Sequence, residues 1–130
     1  MKTKNNLQLI LFVVLAFSIN TKGISQNILQ GQVSPDLKEA ASETVEMWTV
    51  KLALSNKQES LMEDKIVEFS LKKNRILQSK MREELKTQKL KELQILENRD
   101  MRDILTGPQY DKYLSILTKR IKKQEKRFKK

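Results

Sequence analysis

Between Asn56 and Leu105 the chain has neither proline nor glycine. A stretch that long, free of the two residues that stop helices and rich in Lys, Glu, Leu and Gln, leaves helix as the main option. One straight rod of this length reaches roughly 75 Å at ~1.5 Å per residue, too long for the flanking segments of a 130-residue chain to cover. The apolar spacing also changes phase. Met62, Ile66 and Phe69 form one stripe, and the next position in step is the charged Lys73. Ile76, Leu77, Met81 and Leu85 form another, and Leu90, Leu93, Leu96, Met101, Ile104 and Leu105 follow after a polar gap from Lys86 to Lys89. The pattern predicts a bend or short break at Lys72 to Arg75, with a weaker interruption at the second gap.

The starts of the flanking helices are written more clearly. Ser34-Pro35-Asp36 supplies an N-cap, a proline at the first helical position and an acid in the first turn. Leu37, Ala41, Val45, Trp48 and Leu52 then recur at helical spacing and define one buried face, with Trp48 as its anchor. In Leu54-Ser55-Asn56-Lys57-Gln58 the Ser55 hydroxyl can accept from the Gln58 amide while the Gln58 side chain reaches back to Ser55, a capping box. Leu105-Thr106-Gly107-Pro108-Gln109 repeats the device, with proline in the first turn and Leu105 placed to staple onto Tyr110. Tyr110, Leu114, Leu117, Ile121, Gln124 and Phe128 continue as a heptad-like stripe into the C-terminus.

The other end of the chain reads as an address. Lys2 and Lys4 precede an apolar run from Leu7 to Ile19, and Gly23 and Ser25 suit a signal peptidase. The expected division is a signal peptide over 1–25, cleaved after Ser25, a disordered leader over 26–33, a helical domain over 34–118 and a basic helical or frayed tail over 119–130. The expected location is the periplasm. The formal charge of +10 falls to +7 once the signal is removed. Residues 26–118 are neutral, so the whole excess lies in a tail bearing Lys119, Arg120, Lys122, Lys123, Lys126, Arg127, Lys129 and Lys130. Inside the neutral part, 36–64 is acidic and 65–91 is basic.

Composition excludes much chemistry. Without Cys there are no disulfides, thiolate nucleophiles or thiolate metal sites, and without His the commonest general base and transition-metal ligand are missing. No phosphate-cradling glycine loop is present, and the carboxylates are spread along helix faces. The expectation is a protein that is not an enzyme and that uses no cofactor or metal.

Two leucine-cap-x-x-Gln boxes therefore stand 51 residues apart in a small, all-α chain with an export signal. This arrangement resembles the Spy/CpxP family of periplasmic proteins with paired LTxxQ motifs. The stretch Ile104-Leu105-Thr106-Gly107-Pro108-Gln109-Tyr110-Asp111-Lys112-Tyr113 looks most like that family's second motif. Ser55 stands where the family's first motif has Thr, and Gly107-Pro108 where it often has Pro and an acid. The resemblance implies a thin four-helix cradle, an antiparallel homodimer, and an ATP-independent chaperone of the envelope stress response that holds unfolded client proteins.

Residue physics supplies a mechanism for such a holdase. A thin helical layer cannot bury every apolar side chain. Met62, Phe69, Leu71, Met81 and Leu90 are expected on a client-binding face among Lys72, Lys73, Arg75, Lys80 and Arg82. Charge speeds encounter, and shallow contacts with adaptable methionines hold many sequences. Leu54, Ser55, Gln58, Leu105, Thr106 and Gln109 are assigned to the scaffold. The alternative is a periplasmic interaction or regulatory protein without chaperone activity, whose tail sits on an anionic membrane with Ile121 and Phe128 inserted. Nucleic acid is disfavoured by the export signal and by the scarcity of aromatics.

Overall fold

The structure is a computed structural model that describes residues 33–129. The expected signal peptide, its expected cleavage after Ser25, and the expected leader up to residue 32 lie outside the described residues, as do Lys130 and the side chain of Phe128. The fold is all-α, with no strand among the described residues. Among the described residues its helices are α1 (Pro35–Leu52), α2 (Asn56–Gln78), α3 (Glu83–Ile104) and α4 (Gly107–Phe128).

Local signals place three of the four starts where the sequence puts them. Ser34 Oγ accepts from the Leu37 amide at 3.1 Å with Pro35 opening α1. Ser55 and Thr106 each form a complete capping box and open α2 and α4. The expected break at Lys72 to Arg75 is absent, and α2 continues through it to Gln78. Lys73 holds the inward position without disrupting the helix because its ammonium meets the Glu97 carboxylate of α3 at 2.5 Å. The break falls at Ser79 to Arg82 instead. Ser79 turns extended, and both its amide and its hydroxyl donate to the Ile76 carbonyl. Glu83 and Glu84 then favour the new helix start at α3. The second polar gap does not interrupt α3 either. Thr87 points inward and donates to Glu83 O at 2.8 Å, while Lys86 reaches across to the Leu77 carbonyl near the end of α2.

α1 and α2 form one antiparallel hairpin and α2 and α3 a second, the latter fastened by Lys73–Glu97 and Lys65–Asp100. Each hairpin lets an amphipathic helix cover its neighbour. α4 packs across α1 and α3. The main core gathers Val45, Trp48, Leu52, Leu54, Met62, Met101, Leu105 and Tyr113. It lies where α1 and α3 end and α2 and α4 begin. Trp48 and Tyr113 meet with ring centroids 4.8 Å apart. Half-buried Tyr110 packs on the same cluster as Leu105, as a staple requires.

Candidate functional site

The two capping boxes turn out to be one structure. Gln58 Nε2 donates to Gln109 Oε1 at 2.7 Å, and Gln109 Nε2 donates back to Gln58 Oε1 at 3.2 Å. Each amide also reaches the helix end that precedes the other box. Gln58 Nε2 donates to Ile104 O at 3.1 Å, and Gln109 Nε2 donates to Leu52 O at 3.1 Å. Each Oε1 meanwhile accepts from its own cap, Ser55 N at 3.0 Å and Thr106 N at 2.9 Å. Two glutamines thus satisfy backbone groups at four helix termini. Glutamine suits both jobs because it carries a donor and an acceptor, which an acid or a base does not.

This closure carries local strain. The α1 C-cap, Ala53, adopts φ 54° and ψ 57°, a left-handed conformation that costs about 1 kcal/mol outside glycine. Its amide donates to Thr49 O at 2.8 Å, and the turn brings Leu52 O toward Gln109.

Beside the aromatic core lies a cavity of about 60 Å³, walled by Trp48, Tyr113, Ile66, Met101 and the Lys73–Glu97 pair. Its volume suits one or two waters, far below the several hundred cubic ångströms typical of a small-molecule site. Burial pushes the Tyr113 hydroxyl far above its ordinary pKa, so it stays protonated. Among the described residues, no group of acids is placed to hold a metal ion.

The α2–α3 end is different. Leu37, in the first turn of α1, packs on Val67 and Leu71, so α2 and α3 continue beyond it toward their own turn. There Ile76, Leu77 and Met81 are only half-buried, and Leu85 is exposed. Arg75, Lys80 and Arg82 stand exposed around them without ion pairs among the described residues. The outer face of α3 carries two further exposed apolar residues, Ile95 and Leu96.

The ten residues expected on a client face therefore divide. Leu71, Lys72, Arg75, Lys80, Met81 and Arg82 lie toward the open end with partial or full exposure. Met62, Phe69 and Leu90 do not; each is buried to 2% exposure or less. Their stripes face the neighbouring helices, which is where a two-sided helix must point its largest apolar groups. Lys73 is held by Glu97 and is withdrawn from any open face. Lys72 is exposed but tied to Glu68 at 2.6 Å and set over the Phe69 ring. That bond first, and the one from Lys65 second, hold the Glu68 carboxyl below its ordinary range.

Leu96, read from its spacing as core, faces out because Glu97 takes the inward position. Ile95 carried no periodic signal at all. α4 crosses residues 118 and 119 without interruption and runs to Phe128, so the tail takes the helical one of its two expected forms. Arg120 belongs to the packed body, lying 5.5 Å over the Trp48 ring and donating to Met47 Sδ. Ile121 is half-buried and sits on the packed side, not on a face that could insert into lipid.

No helix among the described residues is long and apolar enough to cross a membrane. No family model, curated protein or solved structure matches the chain.

Proposed function

We propose that this protein is an ATP-independent holdase of the periplasm that shields unfolded or aggregation-prone proteins, without enzymatic chemistry or a cofactor. The observation that carries the reading is the α2–α3 end, where Ile76, Leu77, Met81 and Leu85 remain partly open among Arg75, Lys80 and Arg82. Such a surface attracts acidic, unfolded chains over several ångströms through its charge. It then holds them through shallow apolar contact, to which the unbranched Met81 can adapt. Weak contact at many sequences needs no nucleotide to release the client.

The capping lock supports the same reading from the other side. It joins the paired boxes that resemble the Spy/CpxP motifs into one scaffold, so the open end can stay uncovered while the fold is fixed elsewhere. An antiparallel homodimer, with a cradle assembled from two chains, and a link to envelope stress are proposals that rest on that resemblance.

The test is light scattering from an unfolding client mixed with the purified protein at stoichiometric ratio. Suppression in low salt that weakens but persists in high salt is expected, the remainder reporting the apolar contact. Full aggregation in low salt would contradict the proposal.

A further inference from the structure

α4 sets most of its packed residues on one face, although Ile116, which also packs on the core, falls by spacing among the residues of the other. Tyr113 is buried, and Tyr110, Leu114, Leu117, Ile121 and Gln124 are half-buried on the side turned toward α1 and α3. The opposite side carries Lys112, Lys119, Lys122, Lys123, Lys126 and Arg127, all exposed. Helical spacing places these six on one broad face, an arc of about 140° and roughly 22 Å long at ~1.5 Å per residue. None of them forms an ion pair among the described residues. No acid shares this face, since Asp111 and Glu125 fall to one side of it.

A helix does not need six cations to stabilise itself. The C-terminal dipole rewards charge only in the last turn, and that turn already holds Lys126 and Arg127. Mutual repulsion among the remaining lysines costs stability unless something anionic lies against them.

We propose that the outer face of α4 docks flat on an anionic lipid surface. A bilayer presents phosphates in a plane, and a straight, convex face meets that plane along its whole length. Lysine suits this contact as a flexible point charge with no demand for geometry. Nucleic acid is the weaker match, because the face exposes no aromatic side chain for base stacking and forms no groove around a strand. The apolar side of α4 is committed to the protein interior, so the contact is electrostatic and superficial, without insertion of Ile121. Export, expected from residues 1–25, brings the chain to a membrane of this charge. This docking is independent of client shielding and leaves the α2–α3 end free.

The test is co-sedimentation of the purified protein with vesicles of phosphatidylcholine containing phosphatidylglycerol, against vesicles of phosphatidylcholine alone. Binding to the first, none to the second, and loss with rising salt are expected. The combined variant Lys119→Gln, Lys122→Gln, Lys123→Gln and Lys126→Gln should weaken binding about fivefold for each lysine removed, with unchanged helical circular dichroism. A second combined variant, Arg75→Gln, Lys80→Gln and Arg82→Gln, removes comparable charge at the α2–α3 end and should bind vesicles nearly as well as the parent. Equal loss in both variants would reduce the effect to net charge and overturn the proposal. So would binding to phosphatidylcholine alone, or tighter binding to a single-stranded oligonucleotide than to the anionic vesicles at the same ionic strength.

Discussion

The two ends of the helical layer solve opposite problems. Where α1 and α3 finish and α2 and α4 start, four helix termini and the largest aromatic pair are drawn together, and Gln58 and Gln109 satisfy the exposed backbone between them. Where α2 turns into α3, half-covered apolar side chains meet cations that form no ion pair among the described residues, and the turn is closed by little more than Ser79 and Lys86. The first end spends its polar groups on closure, and the second leaves its groups for whatever arrives. The difference teaches that this fold concentrates its covered apolar surface and its polar closure at one end and leaves half-covered apolar side chains at the other.

Substitutions should separate the two ends sharply. The largest effect is expected at the closed end. Trp48→Ala removes the centre of the aromatic cluster and should cost about 4 kcal/mol in chemical denaturation; a loss below half of that would mean the core is centred elsewhere. Lys73→Ala, midway along the layer, strands the Glu97 carboxylate and should cost about 3 kcal/mol. Pairing it with Glu97→Leu should restore most of the loss, and failure to do so would assign the cost to packing.

Gln109→Ala breaks one box and the bridge to the other, for about 2 kcal/mol. In a double-mutant cycle Gln58→Ala and Gln109→Ala should be non-additive, whereas additive losses would show two independent caps. Ala53→Gly relieves the left-handed turn and should raise stability by about 1 kcal/mol.

Alkaline pH also acts on the closed end. Tyr113 has its folded pKa raised by burial, so its contribution is complete below the ordinary tyrosine value near 10 and is lost as pH rises above it. Tyr113→Phe should flatten the alkaline limb of the stability profile. The smallest effect on stability belongs to the open end. Met81→Gln with Leu85→Gln should shift denaturation by no more than ~0.5 kcal/mol, because neither side chain is well covered.

Much of the closed end was legible in advance. Ser55, Thr106, Gln58 and Gln109 announce their caps through local chemistry, and local chemistry is what a sequence displays best. Their mutual bridge was not legible, because a contact across 51 residues leaves no periodic trace. The misplaced break has the same origin. Lys73 looks like a fault in an apolar stripe until Glu97, on another helix, is known to meet it. The true turn at Ser79 to Arg82 contains neither Gly nor Pro, and only Ser79 followed by Glu83 and Glu84 hinted at it.

The candidate face was legible in its charges more than in its apolar members. Arg75, Lys80 and Arg82 have nowhere to go but outward, whereas Met62, Phe69 and Leu90 find neighbours that composition does not reveal. The cations of α4 were visible as a run, and the heptad-like spacing of Tyr110, Leu114, Leu117 and Ile121 already set an inner face against them.

The central claim is that the α2–α3 end, and not the locked end, meets unfolded chains. The most direct measurement is client light scattering with the Met81→Gln, Leu85→Gln variant beside the parent protein, both shown to be folded. The account predicts that the parent suppresses scattering and the variant loses most of that protection. Equal protection by the two, or none from the parent, would contradict it.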